Sequence, residues 1–137
     1  MTNIQTGYLV GAVVIILDDQ NRVLLGLRTK ENIWASFGGK LEPGEAAHQG
    51  ALREIEEELG VKLTTLVPLS FGEGIKSDGT HYVALYFTST LPEGAIPVVQ
   101  EPELMGEIAW FTADTLPENM WERERNQLIT LLGRRQG

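Results

Sequence analysis

The chain has 137 residues, enough for one domain with a sizeable apolar core that needs no disulfide bonds. It has no cysteine, carries a formal net charge of −8 and is 42% hydrophobic. This acidic composition lacks the clustered cations that bind polymeric nucleic acid, and no apolar run approaches the roughly 20 residues of a membrane span. We therefore predict a single domain over residues 1–137, located in the cytoplasm, with neither a membrane nor polymeric nucleic acid as a partner.

A hairpin of two strands is predicted at the start of the chain. Residues 8–17 are rich in β-branched side chains and almost continuously hydrophobic, which is typical of a central strand buried on both faces. Residues 18–21 form a turn, and residues 22–28 return as the second strand. Residues 34–37 then form a short strand that leads into a pair of glycines, where the backbone can approach a ligand closely.

A helix is predicted over residues 45–59, between the turn at Pro43 and Gly44 and a left-handed cap at Gly60. Three glutamates at i, i+3 and i+4 share one arc of about 100° on this helix, and four apolar residues occupy the adjoining arc. The glutamates are Glu54, Glu57 and Glu58, and the apolar residues are Ala51, Leu52, Ile55 and Leu59. One side of the helix should therefore pack on the core while the neighbouring side gathers negative charge.

The three carboxylates indicate a site for a divalent cation. At this spacing, like charges repel by a few tenths of a kcal/mol per pair, so the cluster favours a bound cation. Carboxylate oxygens suit Mg²⁺, or Mn²⁺, better than zinc, for which the chain offers no cysteine and only His48 and His81. The alternative is a glutamate-rich helix face that is simply solvated.

The second half of the chain contains further predicted strands and a second helix. Residues 62–71 and 82–89 are predicted strands joined by the polar residues 72–80, and residues 108–111 form a later short strand. Residues 119–132 form the second helix. Strands on both sides of the first helix and a helix at the end predict an α/β (α+β) fold, in which a mixed sheet lies between helices.

The residues in and before the first helix match a known signature. Starting from Gly39 and Glu45 and continuing through residues 53–61, they read G-x5-E-x7-R-E-U-x-E-E-x-G-U, where U is aliphatic. This pattern resembles the signature of the Nudix hydrolases, Mg²⁺-dependent enzymes that cleave nucleoside diphosphates linked to another moiety. A chance match in a chain of this size has a probability on the order of 10⁻⁷. The resemblance implies a Nudix-type α/β/α sandwich with a central mixed sheet.

The resemblance also implies roles for individual residues. Glu54, Glu57 and Glu58 would bind the metal ion together with the backbone carbonyl of Gly39. One of Glu54 and Glu57 would also accept the proton of the attacking water. Arg53 would complete the catalytic group by orienting these carboxylates, because a guanidinium can bind them in a bidentate way.

Three further acidic residues have expected roles. Glu45 would form a structural brace with Arg53. Family members often recruit another acid from a loop that follows the signature, and here Glu101 and Glu103 are candidates for an additional metal ligand or a base. The alternative is that both are solvated loop residues.

Four residues are candidates for binding the substrate. Arg28 at the end of the second strand and Lys40 are cations that could contact phosphates, although plain surface charge is the alternative for both. Gly38 allows the substrate to approach the backbone. Trp121 would stack on the base, an interaction worth about 1–3 kcal/mol.

The implied reaction is hydrolysis of a nucleoside triphosphate, unmodified or oxidised, to a nucleoside monophosphate and pyrophosphate. Within the same chemistry, a nucleotide-sugar or ADP-ribose pyrophosphatase is the alternative. A noncatalytic nucleotide-sensing domain is the alternative from another functional class. The resemblance also suggests a homodimer.

Overall fold

A computed structural model of the chain describes residues 8–136. In these residues a seven-stranded sheet and two α-helices are formed. The elements are β1 (Leu9–Leu17), β2 (Val23–Arg28), β3 (Ile33–Ala35), β4 (Phe37–Lys40), α1 (Ala47–Leu59), β5 (Val67–Ile75), β6 (His81–Thr90), β7 (Met105–Phe111) and α2 (Glu122–Gln136), with a short 3-10 turn at Ala113–Thr115. Within the described range, no helix combines the length and the apolar character needed to cross a membrane.

Strand β1 is the centre of the sheet, as its hydrophobic sequence predicted. It pairs in parallel with β6 on one edge and antiparallel with β2 and β4 on the other, so the main strand order is β3-β2-β1-β6-β5. The side chains of Ala12, Val14 and Ile16 lie in one core cluster, whereas Ile15 and Leu17 lie in a second cluster on the opposite face. Both faces of β1 are therefore buried, as in a sheet covered on each side.

The two helices cover opposite faces of this sheet. Helix α1 buries Ala51, Ile55 and Leu59 in the first cluster, which confirms the predicted apolar stripe. Helix α2 buries Leu128 and Leu132 in the second cluster. The expected arrangement of a mixed sheet between helices is confirmed.

The predicted boundaries of the hairpin after α1 were wrong. Residues 62–66 do not belong to a strand, and β5 continues through residues 72–75, which were predicted as a polar connection. Gly72 pairs with Ala84 and Gly74 with Tyr82 in an antiparallel ladder. Because ladder bonds use backbone groups, two glycines weaken the sequence pattern of a strand without preventing the pairing.

The short strand before the signature was also predicted incorrectly. Instead of one strand over residues 34–37, the structure has two strands separated at Ser36. The glycine pair lies inside β4, where Gly38 pairs with Val13 and Gly39 pairs with Ala12. The pair is thus held rigidly against the central strand.

Both helices begin later than predicted. Helix α1 starts at Ala47, so Glu45 lies in the preceding loop, where its carboxylate binds Arg53 instead of entering the helix. Helix α2 covers Glu122–Gln136 rather than residues 119–132. Arg135 near its end donates a hydrogen bond to the Asp18 carbonyl at 3.0 Å. Cations in the last turn of a helix are favourable, which explains why the polar end of the sequence continues the helix.

Candidate active site

The end of β4 and the acidic side of α1 lie directly against each other. A Cβ atom added at Gly39 would lie 2.5 Å from a carboxylate oxygen of Glu54. A side chain at this position would displace the Glu54 carboxylate from its present place. Glycine therefore allows the carboxylate to pack on the bare backbone.

Arg53 connects the loop before α1 to the acidic residues on the helix. Its guanidinium donates two hydrogen bonds to the Glu45 carboxylate, at 2.7 and 2.9 Å, and one to the carbonyl of Lys40 at 3.1 Å. It also donates to Glu54 at 3.1 Å and to Glu57 at 3.2 Å. This arrangement agrees in geometry with the expected orienting role of Arg53 and the expected brace role of Glu45.

The charges of this pair reinforce each other. The Arg53 guanidinium lowers the pKa of Glu45 to about 2, and the Glu45 carboxylate raises the pKa of Arg53. Both groups therefore remain ionised over the whole range of pH in which the protein would work.

Glu58 has the opposite electrostatic environment. Burial of its side chain, followed by its hydrogen bond to Glu54 and the charge of that residue, raises the pKa of Glu58 to about 9. The backbone N–H of Gly38 opposes this shift, and the charge of Glu101 adds to it. Without a cation, Glu58 is consequently protonated at neutral pH and shares its proton with a neighbouring carboxylate.

A cavity of about 300 Å³ lies beside these carboxylates. Glu54, Glu58 and Glu101 line it together with Gly38 and Arg28. The structure therefore places one of the two predicted loop acids at the glutamate cluster.

The loop that carries Glu101 is attached to the end of α1 through its backbone. The N–H of Val98 donates to the carbonyl of Leu59 at 2.9 Å, and the N–H of Gln100 donates to the carbonyl of Glu58 at 3.1 Å. These contacts satisfy carbonyls that a helix end leaves without partners. Glu103 does not line the cavity, and its carbonyl accepts a hydrogen bond from the Thr29 hydroxyl at 2.7 Å.

The chemistry of these carboxylates fits a divalent cation. In this structure, no three acidic, histidine or cysteine side chains among residues 8–136 converge closely enough to hold an ion. Arg53 donates hydrogen bonds to Glu54 and Glu57, and a bound proton neutralises the carboxylate of Glu58. A group of neighbouring, partly exposed carboxylates, one of which takes up a proton when no counter-ion is bound, suits a hard cation such as Mg²⁺, which binds oxygen ligands. Glu57 lies at the rim, with its side chain 52% exposed.

A larger cavity of about 640 Å³ lies on the α2 side of β1. All four predicted substrate residues line it, namely Arg28, Gly38, Lys40 and Trp121. Arg28 and Gly38 also line the smaller cavity, so the two cavities meet at these residues. The Arg28 guanidinium is 5.5 Å from the centre of the Trp121 ring and pairs with Glu31 at 2.8 Å.

The larger cavity also contains a buried carboxylate that the sequence reasoning missed. Glu124 is only 7% exposed and accepts a hydrogen bond from the backbone N–H of Ser36 at 2.9 Å. Burial raises the pKa of Glu124. Its position could have been found from helical spacing, because Glu124, Leu128 and Leu132 recur at every fourth residue and are all buried.

Comparisons with solved structures identify the fold. A MutT Nudix hydrolase from Burkholderia pseudomallei is 32% identical, with a TM-score of 0.80 over 89% of this chain and 96% of the other. The dihydroneopterin triphosphate pyrophosphohydrolase of E. coli is 25% identical, with a TM-score of 0.76 over 93% of this chain and 98% of the other.

Sequence comparisons point the same way. A Bacillus subtilis protein provisionally described as an 8-oxo-dGTP diphosphatase is 28% identical, over 95% of this chain and 99% of that protein. The nucleoside triphosphatase NudI of an Enterobacter species is 33% identical over 61% of this chain and 64% of its own. The family model for the NUDIX domain matches residues 7–132. The chain therefore belongs to the Nudix family and is a Nudix hydrolase.

Proposed function

We propose that this chain is a Mg²⁺-dependent hydrolase that cleaves nucleoside triphosphates, unmodified or oxidised, to a nucleoside monophosphate and pyrophosphate. The observation that carries this proposal is the meeting of two cavities at Arg28 and Gly38. One cavity is lined by a cluster of three carboxylates, and the other by cations and an exposed aromatic ring. A nucleotide bound across this junction would have its phosphates beside the carboxylates.

The metal ion, Mg²⁺ or Mn²⁺, would be held by the acidic residues of α1. The proposed ligands are Glu54, Glu57, Glu58, the carbonyl of Gly39, and a loop acid, Glu101 or Glu103. Glu101 is the better supported loop acid because it lines the same cavity as Glu54 and Glu58. When bound, such an ion neutralises phosphate oxygens and lowers the pKa of a water molecule.

The protein residues would then orient the site and accept a proton. Glu54 or Glu57 takes the proton of the attacking water as the general base. Arg53, braced by Glu45, keeps the Glu54 and Glu57 carboxylates in place, since its guanidinium donates hydrogen bonds to Glu45, Glu54 and Glu57. Removal of a general base typically lowers the rate by about 10²–10⁴-fold.

The larger cavity would hold the nucleoside. Arg28 and Lys40, at the end of the larger cavity that is nearest the carboxylates, would contact phosphates. Trp121 would stack on the base. The buried carboxylate of Glu124 would accept a hydrogen bond from an N–H group of the base. A triphosphate substrate is also supported by the relatives described as acting on nucleoside triphosphates.

We further propose that the protein is a single domain that works in the cytoplasm as a homodimer. The absence of cysteine supports a reducing compartment, and the family resemblance supports the dimer. Light scattering during size-exclusion chromatography tests the dimer through its mass, and a monomer mass would reject it.

The reaction is tested by incubating the protein with a panel of nucleoside triphosphates and Mg²⁺ and analysing the products. We expect nucleoside monophosphate and pyrophosphate in equal amounts. Glu57→Gln should lower kcat/KM by about 10²-fold or more, because the side chain keeps its size but loses its charge. Glu56→Gln makes the same change at the neighbouring exposed position and should stay within about twofold. Full activity of the Glu57 variant, or no product from any nucleotide, would contradict the proposal.

A further inference from the structure

The end of the larger cavity that is farthest from the carboxylates has its own set of cations. The cavity extends from β4 across β1 and β6 to the residues beside β5. Three strand spacings of about 4.8 Å make this distance roughly 14 Å. Arg28 and Lys40 lie at the β4 end, whereas Lys76 after β5 and Arg123 at the start of α2 lie at the other end.

Neither of these two distant cations is held in a direct ion pair in the part of the chain that the structure describes, although hydrogen bonds from Thr80, followed by the charge of Lys76, lower the pKa of Asp78. The chain has 11 lysines and arginines in total, and four of them line this one cavity of an acidic protein. Within residues 8–136, Lys76 and Arg123 form no ion pair within 4.0 Å, unlike Arg28. The nearby Asp78 accepts a hydrogen bond from the Thr80 N–H at 2.9 Å. Cations that line a cavity without a direct ion pair favour an anionic ligand.

Strand β5 lies next to Arg123 and to Tyr82, which also lines this end of the cavity. The Arg123 guanidinium donates to the carbonyl of Glu73 at 3.3 Å, and one of its nitrogens would lie 3.4 Å from a Cβ added at Gly72. A Cβ added at Gly74 would lie 2.8 Å from the hydroxyl oxygen of Tyr82. Glycine weakens a strand interior and often marks a close approach by other groups. Here Gly74 leaves room for the Tyr82 hydroxyl, and Arg123 lies over Gly72 at ordinary van der Waals distance.

We propose that Arg123, Lys76 and the Tyr82 hydroxyl form a subsite for a second phosphate on the nucleoside half of the substrate. The ribose hydroxyls are the positions of a nucleotide that ordinarily carry such a group besides the 5′ oxygen. The forked donors of arginine and the point charge of lysine both suit phosphate. The substrate class is then a nucleoside 5′-polyphosphate with a phosphomonoester or phosphodiester on the ribose. This inference rests on the proposed function, which places the 5′-phosphates at the other end of the cavity.

Binding without hydrolysis tests the subsite directly. Isothermal titration calorimetry without divalent cations measures the affinity for adenosine 3′,5′-bisphosphate and for adenosine 5′-monophosphate. The same comparison is made with guanosine 3′,5′-bisphosphate and guanosine 5′-monophosphate. We expect the bisphosphate of at least one pair to bind about tenfold more tightly, the equivalent of about 1.4 kcal/mol. The combined Lys76→Gln and Arg123→Gln variant should bring this ratio close to one, whereas Arg134→Gln, on α2 but outside the cavity, should leave it unchanged. Equal affinities in the unmodified protein, or a ratio that survives in the combined variant, would overturn the proposal.

Turnover then identifies the source of the second phosphate. Values of kcat/KM are compared for a nucleoside 5′-triphosphate, its 3′-phosphorylated form and a 5′-triphosphorylated dinucleotide. A preference for the second compound indicates a phosphomonoester, a preference for the third indicates a phosphodiester, and equal values contradict the subsite. Cleavage of plain triphosphates without any preference rejects the subsite alone. A bisphosphate preference in binding, with no cleavage of any compound, rejects the proposed function and leaves the subsite supported.

Discussion

At the scale of single residues, the site depends on how two glutamates of opposite character are arranged. Glu45 is held ionised by Arg53, while burial and the neighbouring Glu54 keep Glu58 protonated at neutral pH. The loop before α1 thus carries a fixed negative charge at Glu45, whereas Glu58 on the helix is neutral without a counter-ion. A lysine in place of Arg53 would keep the charge but could not contact this many oxygens, because it lacks the planar fork of donors.

The buried carboxylate of Glu124 gives a prediction about stability and pH. Below about pH 4.5, this group is protonated in both the folded and the unfolded chain. As the pH rises, the unfolded chain ionises first because burial raises the pKa of Glu124 in the folded protein, so the folded state loses stability until the raised pKa is passed. Relative to Glu124→Gln, the free energy of unfolding should fall by up to about 1.4 kcal/mol per pH unit above pH 4.5.

Urea denaturation of both proteins at a series of pH values measures this difference. The exposed neighbour Glu122 offers a matched control, since Glu122→Gln removes the same charge from a solvent-exposed side chain. A difference for the Glu124 variant that does not change with pH would contradict the prediction.

At the scale of elements, one turn residue connects the end of α2 to the central hairpin. Asn21 in the β1–β2 turn has a positive φ of 58°, and its side-chain amide donates to the carbonyl of Leu132 at 2.9 Å. Its amide oxygen accepts a hydrogen bond from Arg135 at 3.1 Å. The end of α2 is thereby attached to the hairpin of the central strand.

Two substitutions at Asn21 separate backbone strain from hydrogen bonding. Asn21→Gly keeps the left-handed backbone but loses both contacts, which should cost about 1–2 kcal/mol. Asn21→Ala loses the contacts and adds the strain of a left-handed alanine, for a total of about 2–4 kcal/mol. Thermal or urea unfolding measures both values. Equal losses for the two variants would mean that the backbone conformation contributes nothing.

The elements that were predicted correctly are those whose pattern is local. The continuous hydrophobicity of β1 and the apolar stripe of α1 are visible in the sequence because each reports a buried face directly. The second half of β5 was missed because its two glycines and one glutamate lack the apolar pattern of a strand, while its pairing with β6 uses backbone groups. The late start of α1 was missed because the partner of Glu45 is a side chain two helical turns away.

At the scale of the whole molecule, the sheet separates the carboxylate cluster from the larger cavity, and β4 borders both. The carboxylates are on the α1 side, the larger cavity is on the α2 side, and Gly38 of β4 borders both cavities. The spacing of Glu54, Glu57 and Glu58 could be seen in the sequence because the three share one helix, whereas Glu101 reaches the smaller cavity from a loop. The larger cavity combines residues from five strands and α2, so no local pattern could assemble it.

The central claim is that the acidic side of α1 binds the divalent cation used for hydrolysis. The most direct measurement is an electron paramagnetic resonance titration that counts free Mn²⁺ in the presence of the protein. Glu54→Gln should weaken Mn²⁺ binding at least about tenfold, while Glu56→Gln, with the same loss of charge on the exposed side, should bind like the unmodified protein. If all three proteins titrate alike, the cation does not bind at these glutamates and the account is contradicted.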